Sequence, residues 1–164
     1  AGTRRRPRAW GGDGGGLGGV GPGHQRGGDV EAVLVELDGE LSDRASQSFQ
    51  TMQGDDGRLS TYAGVPPEDL LLLGGIFGNI SDADIQNTAV NASRLCAPGA
   101  TVVWTRHRRE PDLTGAIRAR FAAARWVESE LLSPCPDSWS VGVARLPVDQ
   151  RAFEGELRRF SFST

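Results

Sequence analysis

The feature that most constrains this sequence is an alternation of short apolar runs with longer segments of helical character between residues 30 and 146. The apolar runs predict buried strands at residues 33–38, 69–73 and 100–105. Helix-compatible segments follow them at residues 40–50, 81–95 and 112–123. We expect Ser81 to cap the second helix, and the apolar residues of the last two helices lie at helical spacing: Ile85, Ala89, Ala92 and Leu95, and Leu113, Ile117 and Phe121. Because strands that alternate with helices build a sheet covered by helices, the pattern predicts an α/β fold with a Rossmann-like, mostly parallel sheet and helices on both faces.

The end of this region follows a different pattern. Two strand candidates, at residues 126–132 and 139–146, are separated only by Ser133–Asp137. A link this short suits a hairpin and is too short for a helical crossover. We therefore expect an antiparallel strand at the C-terminal end of the sheet.

The amino-acid composition limits the catalytic chemistry and the cellular location that the chain can have. All 18 cationic residues are arginine, so a Schiff-base lysine and a P-loop lysine are excluded. With 21 acidic residues the formal net charge is −3, which argues against a nucleic-acid-binding surface. Two cysteines without metal-site spacing and no long apolar run predict a cytoplasmic protein with no membrane segment and no bound metal.

The first 29 residues have a composition of their own. Twelve of the 23 glycines fall within the first 30 residues, and Arg4–Arg8 is strongly basic. Such a segment has little apolar surface to offset the entropy of ordering glycine. We expect residues 1–29 to be a flexible segment or a degenerate cofactor loop, 30–146 to be the α/β domain and 147–164 to be a C-terminal tail.

Three phrases of the sequence resemble a known family. They are Leu34–Asp38, Gly75–Asp82 and Trp104–Arg109. Together with the terminal hairpin, the acid that ends a strand and the Pro-Gly turn before the next one, they resemble class I S-adenosylmethionine-dependent methyltransferases of the GC-rich actinobacterial type. The resemblance covers roughly residues 10–146 and is most specific between residues 69 and 121.

This resemblance implies S-adenosylmethionine as cofactor and methyl transfer to a small-molecule acceptor. Class I members bind the cofactor at the ends of the parallel strands, with an acid on the ribose hydroxyls. The contacts implied here are Gly12, Asp13 and Gly14 in the glycine loop, Glu36 on the ribose, Asp55 near the adenine, Gly75 and Phe77 beside the methionine moiety, and Asn79 and His107 at the acceptor.

The start of the chain departs from the family pattern. The family has an apolar strand before its glycine loop, whereas here Arg6–Trp10 precedes Gly12. Pro7 and the arginines around it predict no buried central strand. Two alternatives to an active methyltransferase follow: an inactive remnant of the fold without a competent first strand, and an NAD-binding Rossmann domain, which should lack the terminal hairpin.

Several of these residues also have a plainer interpretation. Glu36 is either a ribose ligand or a solvated carboxylate at a loop entry, and Asp55 belongs to an ordinary Gly-Asp-Asp-Gly turn. Asn79 suits a turn as well as a pocket. His107, among arginines, is a general base, an anion contact or a solvated loop residue. No catalytic residue is assigned, because methyl transfer depends mainly on holding the reactants in line.

Overall fold

The fold is a seven-stranded mixed sheet in the order β3-β2-β1-β4-β5-β7-β6. The computed structural model describes residues 7–10, 33–36, 50–53, 58–134 and 138–148, the first three ranges chiefly through their backbone. The strands are β1 (Pro7–Trp10), β2 (Val33–Glu36), β3 (Gln50–Gln53), β4 (Glu68–Leu73), β5 (Cys96–His107), β6 (Val127–Leu132) and β7 (Trp139–Arg145).

Strand β1 corrects the expectation for the start of the chain. Pro7–Trp10 pairs in parallel with β2 on one side and with β4 on the other, so it lies in the middle of the sheet. The prediction that Arg6–Trp10 cannot form a central strand is therefore wrong. The physical reason lies in its length: only four residues take part, and Pro7 stands at the first position, where strands tolerate proline.

The direction of the strands follows the predicted scheme. Strands β1 to β5 run parallel to one another, whereas β7 is antiparallel to both β5 and β6. The order reverses between β1 and β4, which is the point at which doubly wound sheets bind their ligands. The predicted antiparallel strand at the C-terminal end is confirmed.

Two α-helices lie in the described part of the chain, α1 (Asp82–Ala92) and α2 (Thr114–Ala123), and they contact each other. Ser81 caps α1 as predicted, because its Oγ accepts a hydrogen bond from the Asp84 backbone N–H at 3.2 Å. The predicted apolar face of α1 is buried at Ile85, Ala89 and Ala92. Neither helix is long and apolar enough to cross a membrane.

Two boundaries differ from the expectations. Strand β3 was not expected: it begins at the last residue of the helix-compatible segment 40–50, whose residues 40–49 lie outside the described residues, and it forms the sheet's edge without any apolar run. Strand β5 begins at Cys96 and not at residue 100, because Cys96 already pairs with Glu68 of β4. The register of this pairing then shifts where β5 passes through Pro98–Gly99. Gly99 has a φ of 83°, which glycine adopts without strain. Its N–H donates to the Leu146 carbonyl at 3.0 Å.

The core of the described part centres on four aromatic side chains, Phe77, Trp104, Phe121 and Trp126, which we call the aromatic cluster. Trp104 and Phe121 lie parallel with centroids 6.3 Å apart, and Phe77 meets both rings edge-on. The Trp126 Nε1–H donates to the Ala89 carbonyl at 3.1 Å, so the one polar group of that side chain is satisfied. The cluster fixes α1 and α2 against the sheet that carries the candidate site.

Candidate cofactor and acceptor site

The candidate site lies at the carboxyl rim, which we define as the ends of the parallel strands together with the residues that follow them. Strands β2, β1 and β4 are adjacent and parallel, so their last residues, Glu36, Trp10 and Leu73, reach the same side of the sheet. Strand β3 ends beside β2, since Gln53 pairs with Glu36. The sheet therefore brings four strand ends together around the point of reversal.

The predicted cofactor contacts follow these ends closely in the sequence. Glu36 is the last residue of β2, and Gly75 is the second residue after β4. Gly12 and Asp55 are each the second residue after a strand, β1 and β3 respectively. The predicted contacts Gly12, Asp13, Gly14 and Asp55 themselves lie outside the described residues, so their roles stay predictions, as does that of the Glu36 side chain.

The loop between β4 and α1 is held by hydrogen bonds at both of its ends. Gly75 has a φ of 72° and its N–H donates to Oγ1 of Thr105 on β5 at 3.1 Å. The Asn79 Nδ2 donates to the Gly75 carbonyl at 2.7 Å, while the Asn79 N–H donates to Ile76. Because Gly75 is in the left-handed region, a side chain there would be strained even though nothing would obstruct it. The loop is thus pinned to the rim, with Asn79 exposed.

Phe77 belongs to the interior of the protein. Its side chain is 1% exposed and packs in the aromatic cluster. The ring supports the loop from the interior, and the predicted place of Phe77 beside the methionine moiety stays a prediction.

His107 ends β5 at the rim and packs edge-on against Trp139, with ring centroids 5.2 Å apart. The Arg109 backbone N–H donates to His107 Nδ1 at 3.0 Å. An Nδ1 that accepts a hydrogen bond leaves the proton of the neutral ring on Nε2. In this arrangement His107 offers a donor at Nε2. That geometry suits an anion or carbonyl contact better than proton abstraction by Nε2.

The loop between β5 and α2 neutralises one of its own arginines. Arg108 Nε donates to Asp112 at 2.9 Å, and Arg108 Nη1 donates to Ser133 at 2.9 Å. The pKa of Asp112 is lowered to about 2, chiefly by hydrogen bonds from Thr114 and then by Arg108. The Asp112 carboxylate is therefore ionised at neutral pH and is fully engaged in holding the start of α2.

Thr105 and Arg106 are rim residues that the sequence interpretation did not single out. The role of Thr105 depends on the register that sets Leu73 opposite Trp104, which no local pattern reveals. Arg106 was present in the phrase Trp104–Arg109, but its place among neighbouring arginines gave no reason to prefer it. Among the residues described, no group of three or more His, Cys, Asp or Glu side chains is arranged to hold a metal ion.

Solved structures of methyltransferases share this architecture. The N-methyltransferase NodS from Bradyrhizobium japonicum matches with a TM-score of 0.67 at 12% identity, over 87% of this chain and 86% of that one. A TehB-like S-adenosylmethionine-dependent methyltransferase from Corynebacterium glutamicum gives 0.68 at 17% identity, over 88% and 81%. An O-methyltransferase family protein from Burkholderia thailandensis gives 0.72 at 12% identity, over 89% and 52%.

These matches identify the fold. The chain has the fold of class I S-adenosylmethionine-dependent methyltransferases, which confirms the resemblance seen in the sequence at the level of architecture. NodS has also been solved in complex with S-adenosyl-L-homocysteine. No protein-family model and no curated protein sequence matches the chain.

Proposed function

We propose that this protein binds S-adenosylmethionine and transfers its methyl group to a small-molecule acceptor. The observation that carries the proposal is the position of the predicted cofactor contacts. Glu36 ends its strand, and Gly12, Asp55 and Gly75 each follow a strand end by two residues, on four strands of one rim. This rim surrounds the point where the strand order reverses, which is where sheets of this kind take their ligands.

The chemistry of these residues fits the proposed cofactor. A carboxylate at Glu36 accepts hydrogen bonds from two ribose hydroxyls, and glycines at 12 and 14 allow the backbone to approach the cofactor closely. Asp55 offers an acceptor for an adenine amino group. When bound, S-adenosylmethionine supplies a methyl group already activated by the positive charge on its sulfur.

The chain's own part in the reaction is to position the two reactants. The pinned Gly75–Asn79 loop and the His107 end of β5 border the region above β4 and β5, where we place the acceptor. Holding a nucleophile in line with an activated methyl group supplies much of the rate enhancement. A base is required only when the acceptor must lose a proton.

Isothermal titration with S-adenosylhomocysteine tests the cofactor site. We expect micromolar binding, equivalent to about −8 kcal/mol. Replacing Glu36 with Ala should weaken it by about 1–3 kcal/mol, because two hydrogen bonds to a charged group are lost. Glu130→Ala, an exposed acid on the edge strand β6, is the matched control and should bind as the wild type does.

The other outcomes separate the alternatives. A folded chain that binds no S-adenosylhomocysteine would favour the inactive remnant, although the central strand whose absence suggested that alternative is present. Binding of NAD in its place would overturn the proposal. Equal losses in the Glu36 and Glu130 variants would remove the ribose role from Glu36.

A further inference from the structure

Arg106 occupies a place between the two loops that follow β4 and β5. It is the second-last residue of β5, and its Nη2 donates to the Pro111 carbonyl at 3.2 Å. Its Nη1 lies 3.4 Å from the position that a Cβ would take on Gly78. The guanidinium therefore sits beside the Gly75–Asn79 loop that borders the proposed acceptor region.

The hydrogen-bonding capacity of this guanidinium is largely unused. A guanidinium carries five N–H donors. Within the described residues, one of them goes to Pro111, and Nε is buried without any acceptor. Holding the loop that follows β5 explains the Pro111 contact, but it gives the Arg106 Nε–H no acceptor within the described residues.

Within the described residues, no carboxylate pairs with the charge of Arg106. Two other arginines have a carboxylate: Arg108 pairs with Asp112 at 2.9 Å, and Arg118 pairs with Glu128 at 2.7 Å. Arg106 makes no ion pair within the part of the chain that the structure describes, and it remains half-buried. A partly desolvated guanidinium without a paired carboxylate is the arrangement that binds carboxylates strongly, through two parallel hydrogen bonds.

We propose that Arg106 binds a carboxylate of the methyl acceptor, so that the acceptor is an anionic small molecule. This inference rests on the proposed function, because it assigns the chemical class of the second substrate. The surrounding segment supports it: residues 106–112 carry three arginines against Glu110 and Asp112, in a protein of net charge −3. Benzoate, a small aromatic acid that carries one carboxylate, is the first probe.

The test is a titration of the 15N-arginine-labelled full-length chain with benzoate, followed through the arginine Nε–H resonances. Benzamide, of the same shape and without charge, is the neutral comparison. We expect benzoate to shift the Arg106 signal saturably and benzamide to leave it unchanged. The Arg118 signal is an internal control, since its carboxylate is already in place.

Two matched variants separate a specific contact from a general charge effect. Arg106→Gln and Arg109→Gln each remove one positive charge from the same segment, and Arg109 is exposed. We expect benzoate affinity to fall roughly 10-fold or more in Arg106→Gln and less than about 2-fold in Arg109→Gln. Arg106→Lys keeps the charge without the fork of donors and should also lose affinity. It is the variant to use if Arg106→Gln does not fold.

The results distinguish this inference from the proposed function because S-adenosylhomocysteine binding is measured on the same samples. Equal shifts with benzoate and benzamide, or equal losses in the Arg106 and Arg109 variants, would overturn the anionic acceptor even where S-adenosylhomocysteine binds. Benzoate binding at Arg106 in a chain that binds no S-adenosylhomocysteine would overturn the proposed function and leave the anion site standing.

Discussion

The aromatic cluster and the carboxyl rim both include residues of β5, but their side chains differ in burial and in hydrogen bonding. On β5, Trp104 is 2% exposed and packs against Phe77 and Phe121. Two residues further on, Arg106 is half-buried, with an Nε that has no acceptor in the described structure. The rings of the cluster pack against one another, whereas the rim contains a guanidinium N–H without an acceptor among the described residues. We therefore expect changes in the cluster to act on stability and changes at the rim to act on binding.

The largest effect is expected from Phe121→Ala. Phe121 is 3% exposed and contacts the other three rings of the cluster, so its removal leaves a cavity between α2 and the sheet. We expect the free energy of unfolding to fall by about 3–5 kcal/mol, measured by urea denaturation. Phe121→Leu, which keeps most of the volume, should cost less than about 1.5 kcal/mol.

Phe121→Ala also tests whether the aromatic cluster and the carboxyl rim are energetically independent. Below the denaturation transition, Phe121→Ala should bind S-adenosylhomocysteine with wild-type affinity, because Phe121 lies in the last turn of α2, whereas the rim precedes the first turn. A variant that stays folded and loses binding would show that the two regions are energetically coupled, and the separation would fail.

Gly142→Ala should come next in size. A Cβ on Gly142 would overlap the indole of Trp104, which lies directly against the glycine backbone in the neighbouring strand. Overpacking of this kind costs typically about 1–3 kcal/mol. Gly115→Ala, on the exposed side of α2 where a Cβ meets nothing, is the matched control and should be neutral or stabilising. Equal thermal shifts in the two variants would contradict the packing role of Gly142.

The elements of the C-terminal half could be predicted because their signals are local. Ser81 was recognisable as a helix cap, and Ile117 and Phe121 at helical spacing both proved buried. Strand β3 had no such signal: its four residues, Gln50–Gln53, take their structure from pairing with β2. Pro7 and the arginines around it argue against a strand at β1, yet the strand forms with three residues paired to β2 and two paired to β4.

The candidate site was predictable only where a strand end marked it. Glu36 and Gly75 follow directly from the apolar runs that precede them. Arg106 could not be predicted in this way, because its role depends on which of the neighbouring arginines pairs with a carboxylate. Asp112 pairs with Arg108 because the turn before α2 returns the chain to that residue, and this is a property of the fold.

Asp112→Asn gives the smallest predicted effect and tests how the rim holds its own charges. Asp112 accepts from the Thr114 N–H at 2.9 Å and pairs with Arg108, and its pKa is lowered from 3.8 to about 2. A group whose pKa is lower in the folded state stabilises the fold above its unfolded pKa and loses that contribution as the pH falls. Asparagine keeps an acceptor oxygen and removes the charge. We therefore expect the free energy of unfolding to fall by about 1 kcal/mol at neutral pH, measured by urea denaturation. This difference from the wild type should shrink as the pH falls from about 4 to about 2.

Glu128→Gln removes the carboxylate of a more exposed ion pair, with side chains 46% and 38% exposed, and should lower the free energy of unfolding by less. A loss in Asp112→Asn that is unchanged at low pH would show that the charge of this carboxylate does not contribute to stability.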